Sequence, residues 1–306
     1  MNRELQTRFL AVLLALLTAG SASLAWINFR KGQEFQVPSD GVWWVERGNG
    51  LSAEKVEADG PGDKGGLRVG DRLSSINEHP VGDTASLSRE LYATGAWSKV
   101  TYTVVRNAVP LESVLILVPA EKSLNYWLRF IALIYLGIGL YVLLRRWTAP
   151  GSMHFYIFCL VSFILYSFKY TGKLNLFDWV VYWSEVGAGI LQPALFLHFV
   201  MVFPQKRPVA RKHGWVLPLL YLPGAVLCAI HVVALRTLRA SEVLRWNLDR
   251  LEMGYLAVYF VSAALLLYDS YRHAETTILR QQLKWVTRGT ILAITPYTLF
   301  YVIPYM

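Results

Sequence analysis

Charge is scarce in this chain. Only 17% of its 306 residues are charged, while 54% are hydrophobic and the mean hydropathy is +0.35. An ordinary soluble enzyme carries about a quarter of its residues as charges, and a disordered linker carries few apolar ones, so both classes are excluded. Cysteine is scarcer still. The two present, Cys159 and Cys228, fall inside long apolar runs and read as core thiols, leaving no disulfide framework and no thiolate metal site. The six histidines never stand four apart and no His-Glu-x-x-His occurs, which removes the ligand set of a zinc protease. There is no Gly-x-Ser-x-Gly elbow, no phosphate-binding Gly-x-x-x-x-Gly-Lys loop, and no Asn-rich box followed by Gly-x-Gly. The chain is therefore expected to be non-enzymatic, with no cofactor and no metal. Its net charge of +9 does not point to nucleic acid either. Residues 32–122 hold nine Lys or Arg against thirteen Asp or Glu, so the positive excess lies wholly on the apolar remainder.

What the chain has in abundance is long uncharged runs. Phe9 to Phe29 contains no charge, and at 1.5 Å per residue it covers about 30 Å, the thickness of a bilayer's hydrocarbon. A cleaved signal peptide is the competing reading, because Ala19-Gly-Ser-Ala-Ser resembles a cleavage region; the run continues through Leu24 to Ile27, as a span requires. Six further stretches follow, at about 124–145, 152–170, 179–204, 213–235, 253–272 and 287–306, with aromatic residues such as Trp127, Trp179 and Trp215 near their ends. A set of buried helices in a soluble core is the alternative, and that many such lengths in one chain argue against it. With the N-terminus in the cytoplasm, inner connections hold twelve Lys or Arg and short outer loops six, so the charge bias favours that orientation and puts residues 32–122 outside. The expected class is a polytopic α-helical membrane protein of about seven spans with an inserted extracytoplasmic α+β domain. The divisions are 1–31 (cytoplasmic N-terminus and first helix), 32–122 (outer domain) and 123–306 (multi-span region of about six helices). Such a chain would end outside at Met306, directly after an apolar run, which reads as a truncation.

Residues 36–120 differ in character. Ser98–Arg106 and Leu111–Val118 alternate apolar and polar residues as strands do, and Lys55–Val81 places Gly and Asp turns at Asp59-Gly60-Pro61, Gly65-Gly66 and Gly70-Asp71. The run predicts a strand to Ala58, a short helical turn, and a strand over Arg72–Ile76. Gly-Pro-x-x-x-x-Gly-Leu-x-x-Gly-Asp at 60–71, then Leu73-x-x-Ile76-Asn77 and Pro80-Val81, resembles a PDZ domain of the bacterial, circularly permuted type, with a helix at about 84–94 and two closing strands to Val118. The resemblance implies a groove between a sheet edge and a helix, where an extended peptide or a protein C-terminus adds a strand and sets its carboxylate on backbone N–H groups. Mapped here, Leu51, Ala53 and Val56 belong to the docking strand, Leu87 and Leu91 form the helical wall, and Val42, Trp43 and Trp44 stand in the segment nearest to a carboxylate loop. The two tryptophans leave open a groove that is filled. A packing or dimerisation module and a small-ligand site are the other readings.

Ionisable or polar groups inside apolar helices are costly and usually specific. Glu185, Gln192 and His198 are the candidates, with Glu185 and Gln192 seven positions apart on about one azimuth. They form a ligand or proton site, an inter-helix hydrogen-bonding pair, or, for Glu185, an interfacial residue; His198 in such a setting is most often a packing residue.

Two segments, Leu197-His-Phe-Val-Met-Val-Phe-Pro204 and Leu279-Arg-Gln-Gln-Leu-Lys-Trp-Val286, resemble the membrane sensor region of bacterial sensor histidine kinases. The order of first span, PDZ domain and further spans is similar to the subgroup to which quorum-sensing competence kinases belong. The resemblance implies a homodimer in the bacterial inner membrane that senses an extracytoplasmic peptide or small ligand and is served by a kinase output domain in cis or in trans. A PDZ-containing membrane scaffold or chaperone-like protein without signalling output is the alternative.

Overall fold

The computed structural model describes residues 3–48, 50–121, 123–145, 151–171, 175–203, 205–237, 242–274 and 276–303. A long helix α1 (Arg3–Glu34) leads to strands β1 (Pro38–Ser39), β2 (Val42–Glu46) and β3 (Leu51–Val56), a single turn α2 (Pro61–Lys64), β4 (Arg72–Ile76) and β5 (His79–Pro80). Helix α3 (Thr84–Thr94), β6 (Lys99–Arg106), β7 (Val109–Ile116) and β8 (Val118–Pro119) follow. The rest is helical: α4 (Ser123–Arg145), α5 (Ser152–Ser167), α6 (Leu176–Val202), α7 (Pro208–Lys212), α8 (Val216–Leu219), α9 (Leu222–Thr237), α10 (Glu242–Arg272) and α11 (Thr277–Tyr297), with a π-helical end at Thr298–Val302. The chain divides into two compact units, one of Trp26–Leu124 with Tyr170–Asp178 and the other holding the remaining helices.

In the first unit the strand order is β2-β3-β4-β6-β7, all antiparallel, with β5 folded back on β4. The turns sit where Gly, Pro and Asp allow them. Pro61 opens α2, where a missing N–H costs nothing, and Gly66 (φ +81°) takes a left-handed conformation that an L side chain adopts only with strain. Helix α3 covers one face. Asp83 accepts the Ser86 N–H at 2.6 Å while the Ser86 hydroxyl accepts the Asp83 N–H, a reciprocal cap that fixes the first turn. That pairing, led by the Ser86 N–H, also holds the Asp83 carboxyl below the usual carboxylate range. The core is built from Trp44, Leu51, Ala53, Leu73, Ile76, Leu87, Val100, Tyr102, Val104 and Leu115, one side of each strand, as a half-buried sheet requires.

Five helical stretches among the described residues are long and apolar enough to cross a membrane: Phe9–Glu34, Asn125–Arg145, Leu176–Val202, Val216–Ala234 and Asn247–Arg272. Seven were expected, and two fall short for visible reasons. Helix α5 has 16 residues, about 24 Å of rise, and nine of its side chains are buried in protein. Helix α11 begins at Thr277, ahead of the expected 287, so that Arg280, Lys284 and Arg288 lie on it; residues 304–306 of the expected span lie outside the described residues. Helices α6, α9, α10 and α11 share a core of Ile190, Ala194, Val200, Leu227, Tyr259, Ala263 and Leu283. Cys159 is buried and Cys228 half-buried, both as free thiols.

Candidate functional site

Strand β3 was expected to dock a peptide, and its place in the sheet forbids that. It lies between β2 and β4, and Leu51 and Ala53 are 0% and 1% exposed, part of the core and not of a groove wall. Strand order is a long-range property that local patterning does not encode, which is why the wrong strand was chosen. Strand β2 is an edge strand, with β3 on one side and no strand on the other among the described residues; β7 is the edge at the far end of the sheet. The expected residues Val42, Trp43 and Trp44 are on that edge strand, with a bulge between the two tryptophans.

The two rings do not act together. Trp44 turns into the core, 7% exposed, with its indole 6.2 Å from the Tyr102 ring; Trp43 is 67% exposed on the opposite face. Neither blocks the strand's edge jointly with the other, as a filled groove would need. Behind Trp44 lies a buried polar centre that sequence reasoning missed. Asp40, 3% exposed, accepts from Trp44 Nε1 and from the Tyr102 hydroxyl, both at 2.8 Å on Oδ2, and from the Val42 N–H at 3.0 Å on Oδ1. Each donor replaces water that burial removed. An Asp before Gly in a turn was a visible signal, but its partner Tyr102 is far away in sequence.

Helix α3 supplies the other wall. Glu46 closes β2 by accepting both the N–H (2.9 Å) and the hydroxyl (2.7 Å) of Thr84, which begins α3. Leu87 is buried in the core, and Leu91, one turn on, packs half-buried against that core, as do Val42 and Val56. Leu91 thus has apolar surface left on the helix, whereas Leu87 offers little.

A second anchor sits across the sheet. Arg106 on β6 donates through Nε and Nη2 to the two oxygens of Asp71, both at 2.7 Å, and Nη2 also reaches the Gly66 carbonyl at 2.8 Å. The Arg68 N–H adds a bond at 2.8 Å. Burial works against ionisation of Asp71, but the Arg106 guanidinium and the Arg68 N–H outweigh it and hold the carboxyl below its ordinary range. This fork ties the Gly-Leu-x-x-Gly-Asp turn to the sheet.

The three polar candidates of the helical unit do not converge. Glu185 pairs with Lys169 (20% and 25% exposed side chains for Lys and Glu), Gln192 donates to the Ser162 hydroxyl at 2.9 Å, and His198 meets the Tyr221 hydroxyl at 2.8 Å with the His154 ring tilted beside it, centroids 4.2 Å apart. Along α6 they stand about 10 Å apart, so they are three separate links, Glu185 to the segment after α5, Gln192 to α5 and His198 to the turn before α9. A chain of three groups went unread: the Tyr182 hydroxyl lies 2.6 Å from His231 Nε2, and His231 Nδ1 lies 3.0 Å from Glu252, joining α6, α9 and α10. Among the described residues no group of three or more His, Cys, Asp or Glu is placed to hold a metal ion.

Comparison with known proteins agrees with the sheet and helix just described. The PDZ domain family model matches residues 53–106, so a PDZ domain is present in this chain. The same region is similar to solved structures at low identity. An HtrA-type protease, AlgW with decapeptide, is 19% identical over 28% of this chain and 30% of its own, with a TM-score of 0.27. A serine endoprotease from Yersinia pestis is 17% identical over 28% and 30%, with a TM-score of 0.26. An aminopeptidase N family protein from Idiomarina loihiensis is 22% identical over 28% and 14%, again at 0.26. The match thus spans less than a third of any of these chains. No curated protein matches.

Proposed function

We propose that this chain is the non-catalytic input region of a membrane signal-transduction protein of the two-component histidine kinase type, and that its PDZ domain binds an extended peptide along β2. The carrying observation is the open edge of β2, tied to α3 through Glu46 and Thr84, with Leu91 half-buried on that helix. An extended segment that pairs with β2 gains main-chain hydrogen bonds and places alternate side chains toward the helix. The role of docking strand, given to β3 from sequence, passes to β2.

Five apolar helical stretches support a multi-pass protein of the bacterial inner membrane, and the Lys and Arg count of the seven-span arrangement favours an N-terminus inside and a PDZ domain outside. A homodimer served by a kinase domain in cis or in trans completes the reading. A membrane scaffold or chaperone-like protein is the second reading, favoured by the presence of a PDZ domain in a sequence without a nucleotide-binding motif.

The test uses the full chain in lipid nanodiscs and the variant Leu91→Asp. Burying one apolar anchor is worth about 1.5–3 kcal/mol, so the variant should weaken peptide binding by at least roughly tenfold while the domain stays folded. Unchanged binding would remove the groove from the reading. In a chimera with a kinase module, a peptide response lost with Leu91→Asp supports the sensor, and peptide binding without any response supports the scaffold.

A further inference from the structure

A groove that captures a free C-terminus needs unspent N–H groups where the docking strand begins, because the terminal carboxylate has to be received there. In this domain those groups are taken by the chain itself. The Gly41 N–H donates to the Ser39 hydroxyl at 3.2 Å, and the Val42 N–H donates to Asp40 Oδ1 at 3.0 Å. Asp40 is held in place from two more directions by Trp44 Nε1 and the Tyr102 hydroxyl. Its main chain is held too, since the Gly62 N–H donates to the Asp40 carbonyl at 2.8 Å and the Glu57 N–H to the Gly41 carbonyl at 2.9 Å. Freeing the Val42 N–H would therefore mean dismantling a buried centre of the domain.

The occupant of that position is also of the wrong sign for a terminus. Asp40 is a carboxylic acid group that is 3% exposed. A second carboxylate set against the same N–H groups would place like charges together where little water reaches to screen them, which is unfavourable. The remainder of the β2 edge has no such conflict: a strand passing along it needs only main-chain groups and an apolar side chain to meet Leu91.

We infer that the groove between β2 and α3 selects an internal extended segment of a partner protein and not a free C-terminus. This rests on the peptide-binding reading of the preceding section and narrows it to a ligand class: a β-prone stretch with chain continuing beyond the end that lies beside Gly41 and Val42.

The experiment presents the full chain in nanodiscs to two phage libraries of short random peptides, one ending in a free carboxylate and the other flanked by fixed sequence on both sides. Enrichment is expected from the flanked library. A selected sequence, resynthesised as the free acid and as the amide, should bind the two forms within about threefold of each other. Enrichment confined to the free-carboxylate library, with amidation costing about tenfold or more, overturns the inference while leaving peptide binding intact. Clones whose binding is untouched by Leu91→Asp, or no clones from either library, overturn the peptide-groove reading itself and this inference with it.

Discussion

Asp40 and Tyr102 stand 62 positions apart in the chain and 2.8 Å apart in the fold, the phenol donating to Asp40 Oδ2. Burial, and after it the Asp40 carboxylate, raises the pKa of the phenol above its ordinary value, so at neutral pH Tyr102 is the donor of this pair. Removing the acceptor strands two buried donors, Trp44 Nε1 and the Tyr102 hydroxyl, whereas Tyr102→Phe leaves Asp40 with its other partners. Asp40→Ala should therefore cost about 2–5 kcal/mol and Tyr102→Phe about 1–2 kcal/mol, read from the urea midpoint of the domain's unfolding. Equal costs would show that the centre is not organised around Asp40.

Acid should weaken the domain through Asp71. Its folded pKa lies below the unfolded one, so its contribution is complete above the unfolded value of about 4 and is lost as the pH falls through the depressed folded value. Asp83 is shifted in the same direction. Stability should thus be flat from neutral pH down to about 5 and fall below about 4. With Arg106→Gln the fall attributable to Asp71 should shrink, because the guanidinium that depresses its pKa is gone. An unchanged profile in that variant would assign the acid sensitivity elsewhere.

Two glycines should respond differently to alanine. At Gly62 an added Cβ would meet Val42 Cγ2 at 2.4 Å and the Asp40 carbonyl at 3.0 Å, at the very start of the open strand. Gly62→Ala is expected to cost about 1–3 kcal/mol by overpacking and to disturb peptide binding as well. At Gly66 there is open space and only the φ of +81° resists, so Gly66→Ala should cost about 1 kcal/mol and spare the groove. Denaturation midpoints together with peptide affinities check the contrast.

Topology has its own test. Alkaline phosphatase fused after Lys31 or after Glu121 should be active, and fused after Arg145 inactive. Activity after Arg145 with silence after Lys31 would invert the orientation and remove an outer PDZ domain from the reading.

Much of the PDZ domain was legible because its signals are local. The helix expected at 84–94 is found at Thr84–Thr94, and the strand expected at Arg72–Ile76 is found there, since Asp83 caps the first and Gly70-Asp71 turns into the second. What failed was long-range. The register that makes β3 an inner strand depends on pairing with β4 across a loop, and the Asp40 centre depends on Tyr102 from β6. In the helical unit, apolar composition located α4, α6 and α10, but said nothing of which polar groups meet. His231 and Glu252 became partners only when α9 and α10 were packed, and Gln192 found Ser162 in place of Glu185.

Strands β1 and β8 pair Pro38 with Pro119 and Ser39 with Val118, and the Ala120 N–H donates to the Val37 carbonyl at 2.8 Å. Phe35 stacks on Tyr92 nearby, and the Trp97 indole donates to Gln36 at 3.2 Å. The PDZ domain thus has its incoming and outgoing chains side by side. It is a cassette in the genetic sense: a short Gly-Ser turn put in place of residues 38–119 should bridge the gap with no span left to stretch, and the same junction would accept an unrelated domain whose ends lie equally close.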